Sequence, residues 1–473
     1  MAELPSPAAA PPQVGTWPLL TLAWPLILGQ AAHALMLFTD RIFLGMISPE
    51  ANALGMPAGI TAFALACFFT FAGGYTAAVA SQQVGAGLPA SVGRACWPGL
   101  WIAVVGGLVN LALIPFLPFI MGNIAIGADL HRDLVALTAW YMAAAGPGAI
   151  TVAVSGMFSG TDRTRWAGGL AVAQLALNAL FNWMLIFGHL GAPALGVIGS
   201  GIGTFLASSL TAAAALALLW SPVMRAAHGT ARDWRPDWQR FWNYLSVAAP
   251  HGARLAIEIG IWTLFTHAVG LLGTPALVAN NVVINWNLLT FLPMAGLGQA
   301  IAVTVGQAVG AGRDDLARLA AWQGLRLLMI YSALVAVLVV SLADPLIDVF
   351  LAQTSPNGAM DLAAVRRTCH HLIWVAALWG FGDALNMAFA HALAGAGDTR
   401  WPMFAVLWCA ALLLLLPLSV VVAMPALVAS SGLEPVVAAW LVTLLFVTGM
   451  GLVLGWRFRS GRWRGMGLAG RMG

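Results

Sequence analysis

Three acidic residues stand where acid is expensive. Asp40 lies in FTDRIFLG, Glu258 in GARLAIEIGIW and Asp383 in LWGFGDALNMAF, each within a long apolar run. At the centre of a membrane helix such a residue costs about 2.5–3.5 kcal/mol on insertion scales, and it is retained where it faces a bundle interior or a wet cavity. The chemistry this placement suggests is a proton or ion pathway. His33 precedes Asp40 by seven residues, two turns along the same helix face. Asn178 and Asn182 are four apart and share a face, and Thr204 lies in the next apolar run. One carboxylate ringed by amide and hydroxyl oxygens can hold a proton or a small hard cation. The asparagines equally suit hydrogen bonding between helices, worth roughly 0.6 kcal/mol. Glu258 and Asp383, with Asn386 three residues further on, could bind a cation or attract a cationic substrate. Trp262, Trp286 and Trp379 could line that cavity, because aromatic faces attract organic cations. The competing reading for each acid is a buried structural pair. Asp40 with Arg41 is one example, although adjacent helical residues point about 100° apart and pair poorly. His267 and His391, alone in apolar runs, read as packed residues, and Asp162 sits at the end of a run, where acid is ordinary.

The rest of the chain explains why those acids matter. Of 473 residues, 60% are hydrophobic and 8% are charged, against about 25% charged in soluble domains. Mean hydropathy is +0.87. These values exclude a soluble enzyme, a nucleic-acid binder and a disordered chain. No nucleophile–base set or metal cluster suggests a membrane enzyme. Cys67, Cys96, Cys369 and Cys409 lie in apolar runs without metal or redox spacing and read as small buried hydrophobes. The opening MAELPSPAAAPPQVGTW lacks a basic start and reads as a disordered tail rather than a cleaved signal.

About 20 apolar residues cross a bilayer as a helix. Twelve such stretches fall near 17–46, 54–80, 95–122, 132–157, 167–188, 195–220, 243–272, 276–308, 316–343, 366–393, 401–424 and 433–456. All 21 basic residues are Arg. Fifteen of them fall on one side of this arrangement: Arg94, Arg163, Arg165, Arg225, Arg232, Arg235, Arg240, Arg313, Arg318, Arg400, Arg457, Arg459, Arg462, Arg464 and Arg471. Only Arg132, Arg366 and Arg367 fall on the other. The positive-inside rule then places both termini and the 221–242 loop in the cytoplasm. Arg41, Arg254 and Arg326 remain within or near the ends of spans, so each must snorkel or find a partner. The terminal RFRSGRWRG reads as a topology anchor for anionic headgroups.

The sequence repeats. QQVGAG at 82–87 returns as QAVGAG at 307–312, an offset of 225 that also pairs Pro25 with Pro250 and Gly45 with Gly270. GTDRTRW at 160–166 returns as GAGDTRW at 395–401 with an offset of 235, which places an insertion of about ten residues within 344–365. Two six-helix halves with the same orientation form a parallel repeat, an arrangement that puts a transport site at the repeat interface. The expected division is a tail (1–16), an N-terminal lobe (17–220), a linker (221–242), a C-terminal lobe (243–456) and a basic tail (457–473). Pro25 and Pro250 mark where the first helix of each lobe can bend.

These segments resemble the MATE (multidrug and toxic compound extrusion) transporters over about residues 15–455. The resemblance rests on WPLILGQ and FTDRIFLG in the first span, NALFNWMLIFG followed by LGVIGSGIGTF, LGTPALVANNVVINWNLLTFLPMAGLGQAIAVTVGQAVGAG, and FGDALNMAFAHALAGAGDTRWP, in that order. It implies an all-α integral membrane fold: twelve transmembrane helices in two pseudo-symmetric six-helix bundles forming a V. The implied activity is secondary antiport, with organic cations or drugs leaving as H⁺ or Na⁺ enters. By the same resemblance Asp40 falls on the N-lobe cation-coupling carboxylate, Asn178 on the span 5 asparagine and Thr204 on a span 6 threonine. Asn182 stands where some members carry a second acid. Glu258 and Asp383 match the C-lobe acids of the NorM-type branch, as opposed to the DinF-type branch that usually lacks them. Na⁺ would then sit at Asp40, or at Glu258 with Asp383.

The sequence also departs from the family. His33 stands where relatives often carry Gln, and Asn280 and Asn281 replace a common His-Gln pair. An imidazole beside Asp40 favours protons over Na⁺. The combined expectation is a monomeric inner-membrane antiporter for a cationic amphipathic small molecule. It is surrounded by lipid, has no nucleic-acid partner, and needs no cofactor beyond the coupling ion. The alternative is a lipid-linked oligosaccharide flippase of the same architecture, which would need an Arg-rich cavity.

Overall fold

A computed structural model describes residues 14–122, 127–351 and 361–469. Most of the expected N-terminal tail, residues 1–13, lies outside them, as does Arg471. Long apolar runs leave the backbone one way to satisfy its polar groups in lipid, which is to coil into helices. The first half contains α1 (Thr16–Ile47), α2 (Pro49–Gly74, continued past Tyr75 by Thr76–Gly85), α3 (Val92–Leu113), α4 (Ala128–Gly160), α5 (Thr164–Phe187) and α6 (Gly196–Leu219). The second half contains α7 (Trp238–Gly270), α8 (Thr274–Gly310), α9 (Asp314–Ser341), α10 (Leu362–Ala396), α11 (Arg400–Ala423) and α12 (Pro435–Arg459). Eleven of these are long and apolar enough to cross a membrane. With α7, whose 33 residues include Arg254 and Glu258, there are twelve.

Local chemistry sets the ends. The Ser48 hydroxyl accepts from the Ala51 N–H at the start of α2, and the Asp361 carboxylate accepts from Ala363 and Ala364 at the start of α10. Gly188 and Gly397 end α5 and α10 in the left-handed conformation. Helices α1 and α7 run unbroken through Pro25 and Pro250. In α11 a π-turn at Ala410–Leu415 ends two residues before Pro417, whose missing N–H cannot join the regular ladder. The short helix Ala343–Leu351 occupies the stretch where the repeat offset changes. All four cysteines are buried.

Each lobe has its own cores, but the first helix of each half crosses over. Leu19, Ala23 and Leu26 of α1 pack into a core built mainly by the second half. Tyr244, Val247 and Ala248 of α7 pack into a core built mainly by the first. Leu19 and Ala23 lie 225 positions before Tyr244 and Ala248, so the exchange obeys the repeat. Accordingly α1 lies against α8, and α7 lies against α2.

The hydrogen bonds that join the lobes gather at one end. Tyr75 Oη donates to the Ala394 carbonyl (2.8 Å), Gln82 Nε2 to the Gly395 carbonyl (2.7 Å) and Gln307 Nε2 to Asp162 Oδ1 (2.9 Å). Gln82 and Gln307 are repeat mates. Between them the backbones touch reciprocally: a Cβ on Gly85 would lie 2.0 Å from the Gln307 carbonyl oxygen, and one on Gly310 would lie 2.1 Å from that of Gln82. The repeated QxVGAG segment is thus the seal that closes this end of the V.

The second lobe is stapled beside the seal. Arg457 Nε donates to Asp398 Oδ2 at 2.7 Å, both side chains are nearly fully buried, and the guanidinium lies 5.3 Å from the Trp401 ring centre. Breaking a buried pair by removing one partner typically costs about 3–5 kcal/mol. Asp398→Asn should therefore lower thermal stability in detergent. An unchanged melting temperature would show that the pair contributes nothing.

Candidate functional site

The N-lobe site grows from three helices. Asp40, 6% exposed, reaches from late α1 toward α5, where Asn178 and Asn182 present one face. Asn182 Nδ2 donates to Asp40 Oδ1 and also lies 3.3 Å from Asn178 Oδ1. Asn178 Nδ2 donates to Thr204 Oγ1 of α6 (3.1 Å), and that hydroxyl donates to the Ser200 carbonyl (3.0 Å). The Ser200 hydroxyl meets Tyr141 Oη of α4 at 3.4 Å. The closeness of α5 and α6 depends on Gly203, where a Cβ would lie 2.2 Å from Asn182 Oδ1. That amide oxygen is buried and has no hydrogen-bond partner. Among the described residues no basic side chain pairs with Asp40. Arg41 and Arg326 are exposed. The cluster is a buried carboxyl surrounded by amide and hydroxyl groups.

The structure therefore brings together Asp40, Asn178, Asn182 and Thr204. His33 lies apart from them: it is exposed on α1 and is not a hydrogen-bond partner of Asp40. Two helical turns put about 10 Å of rise between the two residues, so a shared face does not imply contact. Tyr141 and Ser200 join this hydrogen-bonded cluster, and the sequence reading missed both. Tyr141 is one of only four tyrosines in the chain, but nothing local to it indicates Asp40.

The C-lobe cluster is different in kind. Arg254 and Glu258, one turn apart on α7, form an ion pair at 2.7 Å with side chains 6% and 19% exposed. Asp383, 3% exposed on α10, has Asn386 three residues further along the helix and lies within electrostatic range of both Glu258 and Arg254. Asp383 Oδ2, Asn386 Oδ1 and Arg254 Nε have no hydrogen-bond partner. The i,i+4 spacing of Arg254 and Glu258 is a sequence signal for this pairing that the sequence reading did not use. Trp286 and Trp379 line a cavity between α8, α9 and α10 with Thr290, Met294 and Tyr331. Trp262 does not line it; its ring packs edge-on against Trp379 and Phe265. Asn280 is buried and accepts from Trp440 Nε1 at 3.0 Å, whereas Asn281 is exposed. His391 is half-buried and bonded to the Met387 carbonyl, as a packed residue would be. His267 instead is exposed, and its ring turns back to the Thr263 carbonyl of its own helix.

Known proteins share this architecture. Residues 250–421 match the MatE family model. A protein of Bradyrhizobium diazoefficiens named "Probable multidrug resistance protein NorM" is 30% identical over 402 residues, covering 83% of this chain and 84% of its own. The multidrug resistance protein PmpM of Pseudomonas aeruginosa is 29% identical, covering 82% of this chain and 80% of its own. Among solved structures, a MATE protein in complex with MaL6 superposes with a TM-score of 0.82 at 14% identity, covering 96% of this chain and 98% of the other. An outward-facing multidrug resistance MATE family transporter of the MOP superfamily superposes with a TM-score of 0.81 at 15% identity, covering 96% and 97%. With twelve helices in two repeated lobes and relatives matched over most of both lengths, the chain belongs to the MATE family of multi-pass membrane transporters and is not an enzyme.

Proposed function

We propose that this protein exports cationic amphipathic drugs across the inner membrane in exchange for protons, with Asp40 as the coupling group. The observation that carries the reading is a buried carboxylate held only by neutral amides, with no positive partner among the described residues. Such a group is stable with a proton or a cation on it and reactive without one. A proton entering at Asp40 cancels its attraction for a cationic substrate. Proton and drug therefore exclude each other or favour different lobe orientations, which is the thermodynamic requirement for exchange. Pro25 and Pro250 supply places where α1 and α7 can bend as the lobes rock. The Arg-rich side, which includes the sealed end, faces the cytoplasm, and the protein works as a monomer. The multidrug resistance names of its relatives support drug export. A flippase would need a basic cavity, yet among the described residues the two buried arginines, Arg254 and Arg457, are held by Glu258 and Asp398.

The test is uptake of a fluorescent organic cation into inverted vesicles. An imposed pH gradient should drive transport, and an imposed Na⁺ gradient at clamped pH should not. Transport driven by Na⁺ alone and lost on changing Asp40 would overturn the choice of proton.

A further inference from the structure

The sequence alone gives the C-lobe two acids and hence a demand for an external cation. The structure removes half of that demand. Arg254 lies 2.7 Å from Glu258, with both side chains largely shielded from water. Arginine does not deprotonate in proteins, so this positive charge is permanent. A hard cation needs several oxygens around it. Here one Glu258 oxygen, Oε1, is already bound to Arg254, and a cation shared between Glu258 and Asp383 would sit beside a guanidinium. His251 and His391 also lie within electrostatic range of Arg254 and supply no further negative charge. Summed over Arg254, Glu258 and Asp383, the cluster carries one net negative charge where the two acids alone would carry two.

We infer that Arg254 is the resident cation of the C-terminal lobe and determines ion specificity by keeping Na⁺ from the Glu258–Asp383 pair. The chain's own guanidinium occupies the role a metal ion would otherwise take, and Asp383 with Asn386 is left as a single-acid site. This deepens the proton reading above and rests on it for its consequence in transport. The binding test below does not depend on that reading.

The experiment measures ²²Na⁺ binding to purified full-length protein at constant ionic strength with KCl. All variants carry Asp40→Asn, so the N-lobe contributes nothing. The parent should show no saturable Na⁺ binding. Adding Arg254→Gln should create saturable binding at least tenfold tighter than any in the parent, and Asp383→Asn should abolish it again. A monodisperse Arg254→Gln protein that binds no Na⁺ overturns the inference. So does saturable binding by the parent that disappears on Glu258→Gln. If Arg254→Gln does not fold, the parent decides alone: no saturable binding upholds the inference, and binding lost on Glu258→Gln overturns it. Failure of either kind leaves the Asp40 proposal standing, because Asp40 is absent from every arm.

Discussion

Asp40→Asn should reduce gradient-driven drug export to the level of vesicles lacking the protein, while the protein still reaches the membrane and folds. The substitution keeps the size of the side chain and an oxygen to accept from Asn182, so the hydrogen-bonded chain through Asn178 and Thr204 survives. What disappears is the titratable charge. Removing a buried charge that has no counter-ion relieves a desolvation cost rather than creating one. Thermal stability should therefore be unchanged or higher, the opposite of Asp398→Asn, which strands the buried Arg457. Activity and stability moving in opposite directions is the signature of a coupling group. Retained export in Asp40→Asn would remove the carboxylate from the mechanism. Lost export with lost stability would reassign it to structure.

The second large effect is expected at the seal. Gly310→Val should prevent closure of the sealed end and cut export at least tenfold. A Cβ there would lie 2.1 Å from the Gln82 carbonyl oxygen. Both partners are backbone, so no side chain can swing aside, and the lobes must separate instead. Because the native cysteines are all buried, an introduced Ser81→Cys reports the change: Ser81 is fully buried at the seam. Maleimide should label that cysteine slowly in the parent and rapidly with Gly310→Val. Equal labelling and equal export would show that the glycine contact is incidental. Gly85→Val should behave alike, because the repeat places Gly85 against the Gln307 carbonyl oxygen at 2.0 Å.

The number of spans, the two-fold repeat and the candidate acids were legible in the sequence because each is a local or self-comparing signal. Apolar run length alone finds a membrane helix, and a fixed offset finds the second copy. The repeated QxVGAG segment was visible too, although not as the seal, since nothing in one strip of sequence says that its mate lies against it. The seventh helix shows the limit from the other side. Its charged residues leave it outside the eleven helices apolar enough to stand out by hydropathy, and its place in the repeat and its packing support the apolar stretch read there.

Partner choice belonged to the tertiary structure. Asn182 and Asp40 are 142 residues apart, and their bond exists because α1 packs against α5. His33 shares a helical face with Asp40 yet stays out of its network, because the two are two turns apart. Arg254 had a readable partner in Glu258 one turn away, but the sequence could not say whether Glu258 would be spent on Arg254 or shared with Asp383. Burial decides it: a permanent guanidinium with little access to water takes the nearest carboxylate. The sequence by itself determined that acids sit in the membrane. Which of them still lacks a positive partner was settled only when the helices packed, because charge compensation depends on distance in space, and helix packing sets that distance.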